Sequence, residues 1–192
     1  MNGQPITLTQ FTNTFVPWGV FTAAALLGAE TAESLVRSRT IYTSWVVIAF
    51  IIASFHFYFA VDQGPETRNY FRLSSTFGWI ALLVHLYYGV IVFNGGDLQR
   101  VFQNAGKFGA ISNFVLAGWW GLDVALAWFA PPSAFVRFER AVLMLLLFAT
   151  SVVTSIVLGS PFGKLLGVAL CAVVLLGVAR KIVRRRMAAT AA

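Results

Sequence analysis

Three side chains in this sequence, His56, His85 and Asp123, stand where chemistry would be costly to keep without a use. The two histidines are the only ones in the chain, and each lies inside an apolar run. Asp123 is the one acid well inside such a run. An ionisable group surrounded by hydrocarbon marks a functional site by default, because its charged form loses water. Imidazole exchanges a proton near neutral pH, binds metals and hydrogen-bonds polar ligands. A carboxylate beside it can accept a proton or face a cationic or hydroxylated ligand. The trio is therefore the candidate ligand or proton site.

Two other chemistries use the same residues. Two neutral imidazoles on neighbouring helices form an axial pair for haem b, so His56 and His85 are candidate haem ligands. Two histidines and a carboxylate also match the donor set of non-haem iron sites. They come from three separate runs without motif spacing, so no metal site is assigned. A plain structural reading stands beside these: a membrane histidine often only bonds a neighbouring helix, and an aspartate can act as interhelical glue. Thr150, Ser151, Thr154 and Ser155 add a hydroxyl-rich turn nearer the opposite side. No nucleophile elbow, phosphate loop or metalloprotease motif is present, so the reading leans away from an enzyme.

The stretch His85-Leu-Tyr-Tyr-Gly89, followed by Asp97, resembles the haem-binding helix of succinate dehydrogenase anchor subunits. The resemblance covers about 13 residues and implies an electron-transfer membrane anchor with haem b at His85. The tyrosine which that family places after the aspartate is absent. In size and span number the chain is also similar to the small substrate-binding subunits of vitamin uptake transporters, which implies binding or transport of a small ligand.

The elements that must hold these residues follow from composition. The chain has 192 residues, 58% hydrophobic and 11% charged. Soluble domains carry about 25% charged residues, and a chain this short cannot bury so much apolar surface on itself. Lipid resolves the conflict, so the fold class is an all-α polytopic integral membrane helix bundle of five or six transmembrane helices. Residues 41–61, 73–96 and 141–163 form uncharged runs, and 110–130 carries Asp123 alone. Residues 161–179 form a shorter run in which Lys164 can snorkel to the interface. Residues 11–29 are uncharged but contain Thr12, Asn13, Thr14 and Pro17, and fit either a sixth span or an interfacial helix. Six is preferred. The chain is read as one membrane domain with no soluble part.

Between the runs, Asp62–Arg72 reads as a polar loop, Asn94–Gly109 as a Gly-rich one, and Pro131-Pro132 as the start of a loop with Arg137 and Arg140. Small residues at four-residue spacing (Gly163, Gly167 and Cys171; Ala117, Gly121 and Ala125) predict close helix approach. A lone cysteine, Cys171, excludes an intramolecular disulfide.

Charge sets the orientation. The net charge is +7, and Arg180, Lys181, Arg184, Arg185 and Arg186 follow the last apolar run directly. Such a cluster meets anionic lipid headgroups; with no soluble basic face, nucleic acid is not an expected partner. Arg68, Arg72, Arg137, Arg140 and the five tail cations share one side, against Arg37, Arg39, Arg100, Lys107 and Lys164 on the other. The tail, residues 180–192, is therefore expected in the cytoplasm and the bundle in the inner (plasma) membrane. Expected partners are the lipid bilayer and other membrane subunits or a second copy. By helical rise, His56, His85 and Asp123 fall roughly 8, 15 and 10 Å from the tail-side ends of their runs, one band in the cytoplasmic half.

Overall fold

A computed structural model describes residues 5–60, 64–157 and 159–190. Seven α-helices run through them, and no strand occurs among the described residues. They are α1 (Leu8–Ala29), α2 (Leu35–Tyr58), α3 (Pro65–Leu86), α4 (Leu98–Ala105), α5 (Lys107–Phe129), α6 (Ala134–Val152) and α7 (Pro161–Thr190). Two are prolonged by π-helical segments: Tyr87–Val92 continues α3 and Val153–Val157 continues α6.

Local chemistry explains most boundaries. Thr7 and Gln10 close a capping box at the start of α1. Pro65 opens α3 in the first turn, where a missing N–H costs nothing. The Oγ of Ser133 accepts from Val136 N at 3.1 Å and starts α6 directly after Pro131-Pro132. Asp97 caps α4 by accepting from the backbone N–H groups of Gln99 and Arg100. Gly95, Gly96 and Gly106 take positive φ around that short helix, a conformation glycine adopts without steric cost.

Five helices are long and apolar enough to cross a membrane: Leu35–Tyr58, Pro65–Val92, Lys107–Phe129, Ala134–Val157 and Pro161–Arg184. The surface agrees with their composition. Phe108, Phe129, Leu145, Leu165 and Leu175 are among many large apolar side chains exposed on the outside of the bundle. Water would not tolerate so continuous an apolar surface on a monomer, and lipid does. The chain is thus an all-α, multi-pass membrane bundle. α1, with 22 residues, packs beside α2 and α3 as a sixth rod. Its first turn meets the start of α3, where Asn69 donates to Gln10 across a buried 3.2 Å contact.

Successive long helices alternate in direction. The end of α2, the start of α3, the α5–α6 hairpin and the end of α7 therefore share one face, here the tail end. The α1–α2 turn, α4 and the start of α7 share the far end. The seam between α3 and α5 is tight. Trp79 and Trp120 lie against Gly121 and Gly78 of the facing helix, where a Cβ would come within 2.9 and 2.8 Å of the indole. Each indole N–H finds an acceptor across the seam: Ala117 O for Trp79 and Ser75 Oγ for Trp120, both at 2.8 Å.

Several boundaries differ from the sequence reading. Arg68 and Arg72 lie on α3 rather than in a loop, because the helix starts at Pro65. Arg137 and Arg140 lie on α6 for the corresponding reason at Ser133. The 94–109 stretch contains α4, and the basic tail is helical through Thr190. The expected end of the 41–61 span at Val61, Asp62 of the following loop, and Ala191 and Ala192 of the tail lie outside the described residues.

Candidate functional site

His85 is held by α2. Its Nδ1 lies 2.9 Å from the backbone oxygen of Thr40 and 3.5 Å from Thr43 Oγ1. A carbonyl can only accept, so Nδ1 carries the proton toward Thr40. In the neutral ring this leaves Nε2, on the other edge, as a hydrogen-bond acceptor. Thr43 is buried and bonds back to Arg39 O and Thr40 O, which holds the receiving turn in place.

The imidazole borders a partly open cavity of about 490 Å³ between α2, α3, α5, α6 with its extension, and the start of α7. Ile48, Ile51, Leu82, Leu116, Leu147 and Trp120 form its apolar walls. Set among them are the hydroxyls of Thr40, Ser44, Thr150, Ser151, Thr154, Ser155 and Ser160, together with the Asn113 amide. Among the described residues, no Asp, Glu, Lys or Arg lines it. Ser155 is 2% exposed, and its Oγ has no hydrogen-bond partner among the described residues. A second cavity of about 160 Å³ lies toward the far end under α4 and is bordered by the same His85 and Asn113.

Both π-helical segments border these spaces. Gly89 and Val90 line the smaller cavity; Thr154 and Ser155 line the larger. A π turn contains one residue more than an α turn and releases backbone groups from the regular ladder, and such segments are frequent at functional sites. One released group is accounted for: Asn94 Nδ2 donates to Gly89 O at 2.6 Å, while Asn94 Oδ1 accepts from Asn104 Nδ2 at 2.7 Å. The hydroxyl-rich turn read from the sequence is thus part of this wall, and the role of Asn113 and of the π geometry was not read there.

Asp123 is elsewhere. It is 1% exposed, and its Oδ1 accepts from Arg140 Nε at 2.7 Å across the α5–α6 hairpin. Trp120, one turn earlier on α5, bonds Ser75, ten residues or about 15 Å along α3 from His85. Asp123 therefore lies beyond the Trp120 floor of the cavity, toward the tail end. His56 is elsewhere again: it is exposed on the outside of α2, edge-on to Phe57 at 5.1 Å between ring centroids.

The expected single band does not form. His85 sits level with Thr40, sixteen residues or about 24 Å along α2 from His56. The depth differs because α3 begins at Pro65, so that His85 is about 30 Å from its tail-side start. Axial ligands must both touch one iron, and His56 and His85 cannot. The two imidazoles therefore form no axial pair, and Asp97, the acid of the His85–Asp97 resemblance, serves as the α4 cap. The iron-like set of His56, His85 and Asp123 is likewise dispersed, and no group of three His, Cys, Asp or Glu side chains suited to a metal occurs among the described residues.

No family model, curated protein or solved structure matches the chain.

Proposed function

We propose that this protein binds or carries a small uncharged ligand inside the bilayer, with His85 as the principal polar contact. The carrying observation is a cavity of about 490 Å³ with apolar walls, many hydroxyls and one orientationally fixed imidazole. Small-molecule sites usually measure about 300–1,000 Å³ and place a few polar groups in a largely apolar wall. An ion would lose its hydration here with no opposite charge to meet it. A ligand with an apolar body and a hydroxyl or N–H group loses less water, and can donate to Nε2 of His85 while Ser155 Oγ gains a partner.

The test is an inventory of small molecules released from the purified protein, followed by rebinding. Trp45 and Trp120 in the wall report occupancy by fluorescence. Long-chain alcohols, quinols and sterols serve as first probes. His85→Ala should weaken binding about 10-fold or more, the loss of one hydrogen bond plus an unmet polar group. Equal contents and equal binding in wild type, His85→Ala and Ser155→Ala would sink the proposal.

The setting belongs to the same proposal. α7 has 30 residues, about 45 Å of helix against a hydrocarbon core of about 30 Å. Its final turns, with Arg180, Lys181, Arg184, Arg185 and Arg186, therefore extend past the core toward anionic headgroups. We place that end in the cytoplasm and the bundle in the inner membrane on the excess of cations at the tail end. With little mass outside the helices, association with other membrane subunits or a second copy would use the lipid-facing sides. A strictly monomeric species on blue-native electrophoresis in mild detergent would remove that part.

A further inference from the structure

The α5–α6 hairpin holds a pair of carboxyl groups that the cavity does not use. Asp123 is bonded to Arg140 through Oδ1. Glu139, the residue before Arg140, is 6% exposed, and its Oε1 accepts from the indole N–H of Trp119 at 2.6 Å. Among the described residues no donor reaches its buried Oε2, and Nη2 of Arg140 is likewise buried without an acceptor. The Asp123 carboxyl is close enough to act directly on that of Glu139. Two carboxyls thus face one bonded guanidinium inside a lipid-facing bundle.

The other charged and titratable groups are set further back. Tyr58 of α2 is near both Asp123 and Arg140. Arg72 of α3 is near Arg140 and Arg68. Lys181 of α7 rests over the Tyr58 ring, 4.8 Å from its centroid. Among the described residues, the ion pair made by these two carboxyls is Arg140 with Asp123.

Charge and geometry then assign the protonation pattern. Two carboxylates sharing one site hold a proton between them, because like charges at close range and low dielectric repel strongly. Asp123 already accepts from the guanidinium through Oδ1. Glu139 already accepts at Oε1, so the proton falls to Oε2, the oxygen that no donor reaches. We propose that this hairpin is a proton-binding site in which Glu139 carries the proton on Oε2, directed toward Asp123. Release yields the Glu139 carboxylate and a proton to the aqueous phase at the tail end, past Arg140, whose side chain is 20% exposed. The site is independent of the ligand cavity reading.

Infrared spectroscopy of the full protein in lipid tests it. At neutral pH the wild type should show a neutral-carboxyl C=O band that shifts on hydrogen–deuterium exchange. Glu139→Gln should abolish that band, and Glu66→Gln, at an exposed first turn of α3, should leave it unchanged. Trp119→Phe removes the donor to Oε1, so the band should move to higher frequency; this reading holds even if Glu139→Gln fails to fold. No such band in the wild type would overturn the proposal. So would a band that survives in folded Glu139→Gln, or one indifferent to Trp119→Phe.

Discussion

At Asp123 the cost of burying a charge is met by one partner, and the consequence can be measured. Asp123→Ala removes the carboxylate bonded to the half-buried Arg140 guanidinium and leaves Glu139 as the one carboxyl facing it, so the loss should be about 3 kcal/mol where Glu139 stays protonated and smaller once it ionises. Arg140→Met with Asp123→Ala should recover much of that loss, since an apolar replacement of both partners is often neutral. Thermal unfolding in detergent, read as a double-mutant cycle, checks it; additive losses would show that the two side chains act separately. Asp123 was legible as an unusual residue because it is the lone acid in an apolar run. Glu139 and Arg140 were not, because the uncharged run begins only at Ala141, whereas the Ser133 cap starts the helix earlier. His85 was legible as a site residue, but its depth was not, for the same reason at Pro65.

Among elements, the α3–α5 seam is where side-chain volume is least negotiable. Gly78→Ala and Gly121→Ala each drive a methyl into an indole, and overpacking of this kind costs about 1–3 kcal/mol. Gly109→Ala and Gly118→Ala on the same α5 meet nothing within 4 Å and should be neutral or slightly stabilising. A seam insensitive to Gly78→Ala and Gly121→Ala in thermal unfolding would contradict the packing. The small-residue stripe through Gly121 pointed to close approach, and the bulky partner filling the gap, Trp79, could not be read from spacing along one helix. α4 is a second element with a clear lever. Asp97→Ala removes two accepted hydrogen bonds from its first turn and should cost about 1 kcal/mol, seen as faster amide exchange in residues 98–105. Periodicity missed this helix, since eight residues with a polar face fall below the length of a membrane run.

For the molecule as a whole, the bundle class and the five crossing helices were readable because about 20 apolar residues in succession have few other uses. Alternating helix direction makes an experimental statement about sides. In a Cys171→Ser background, cysteines placed at Gly95 and at Arg186 should react with impermeant thiol reagents from opposite faces of the membrane, Arg186 from the cytoplasm. Reaction of both from one face would refute the alternation. What sequence could not supply was the space between helices, which depends on the two π-helical segments. Each holds one surplus residue, so the shape of the void is written partly in chain length and not wholly in residue identity. Removing a single residue from Val153–Val157 would turn the remainder of that segment by about 100° relative to α6, the angular step of one helical residue. Ser155 and its neighbours would then leave the wall while nearly every amino acid stayed the same. A substitution library would pass over this dependence, and a one-residue deletion scan would expose it.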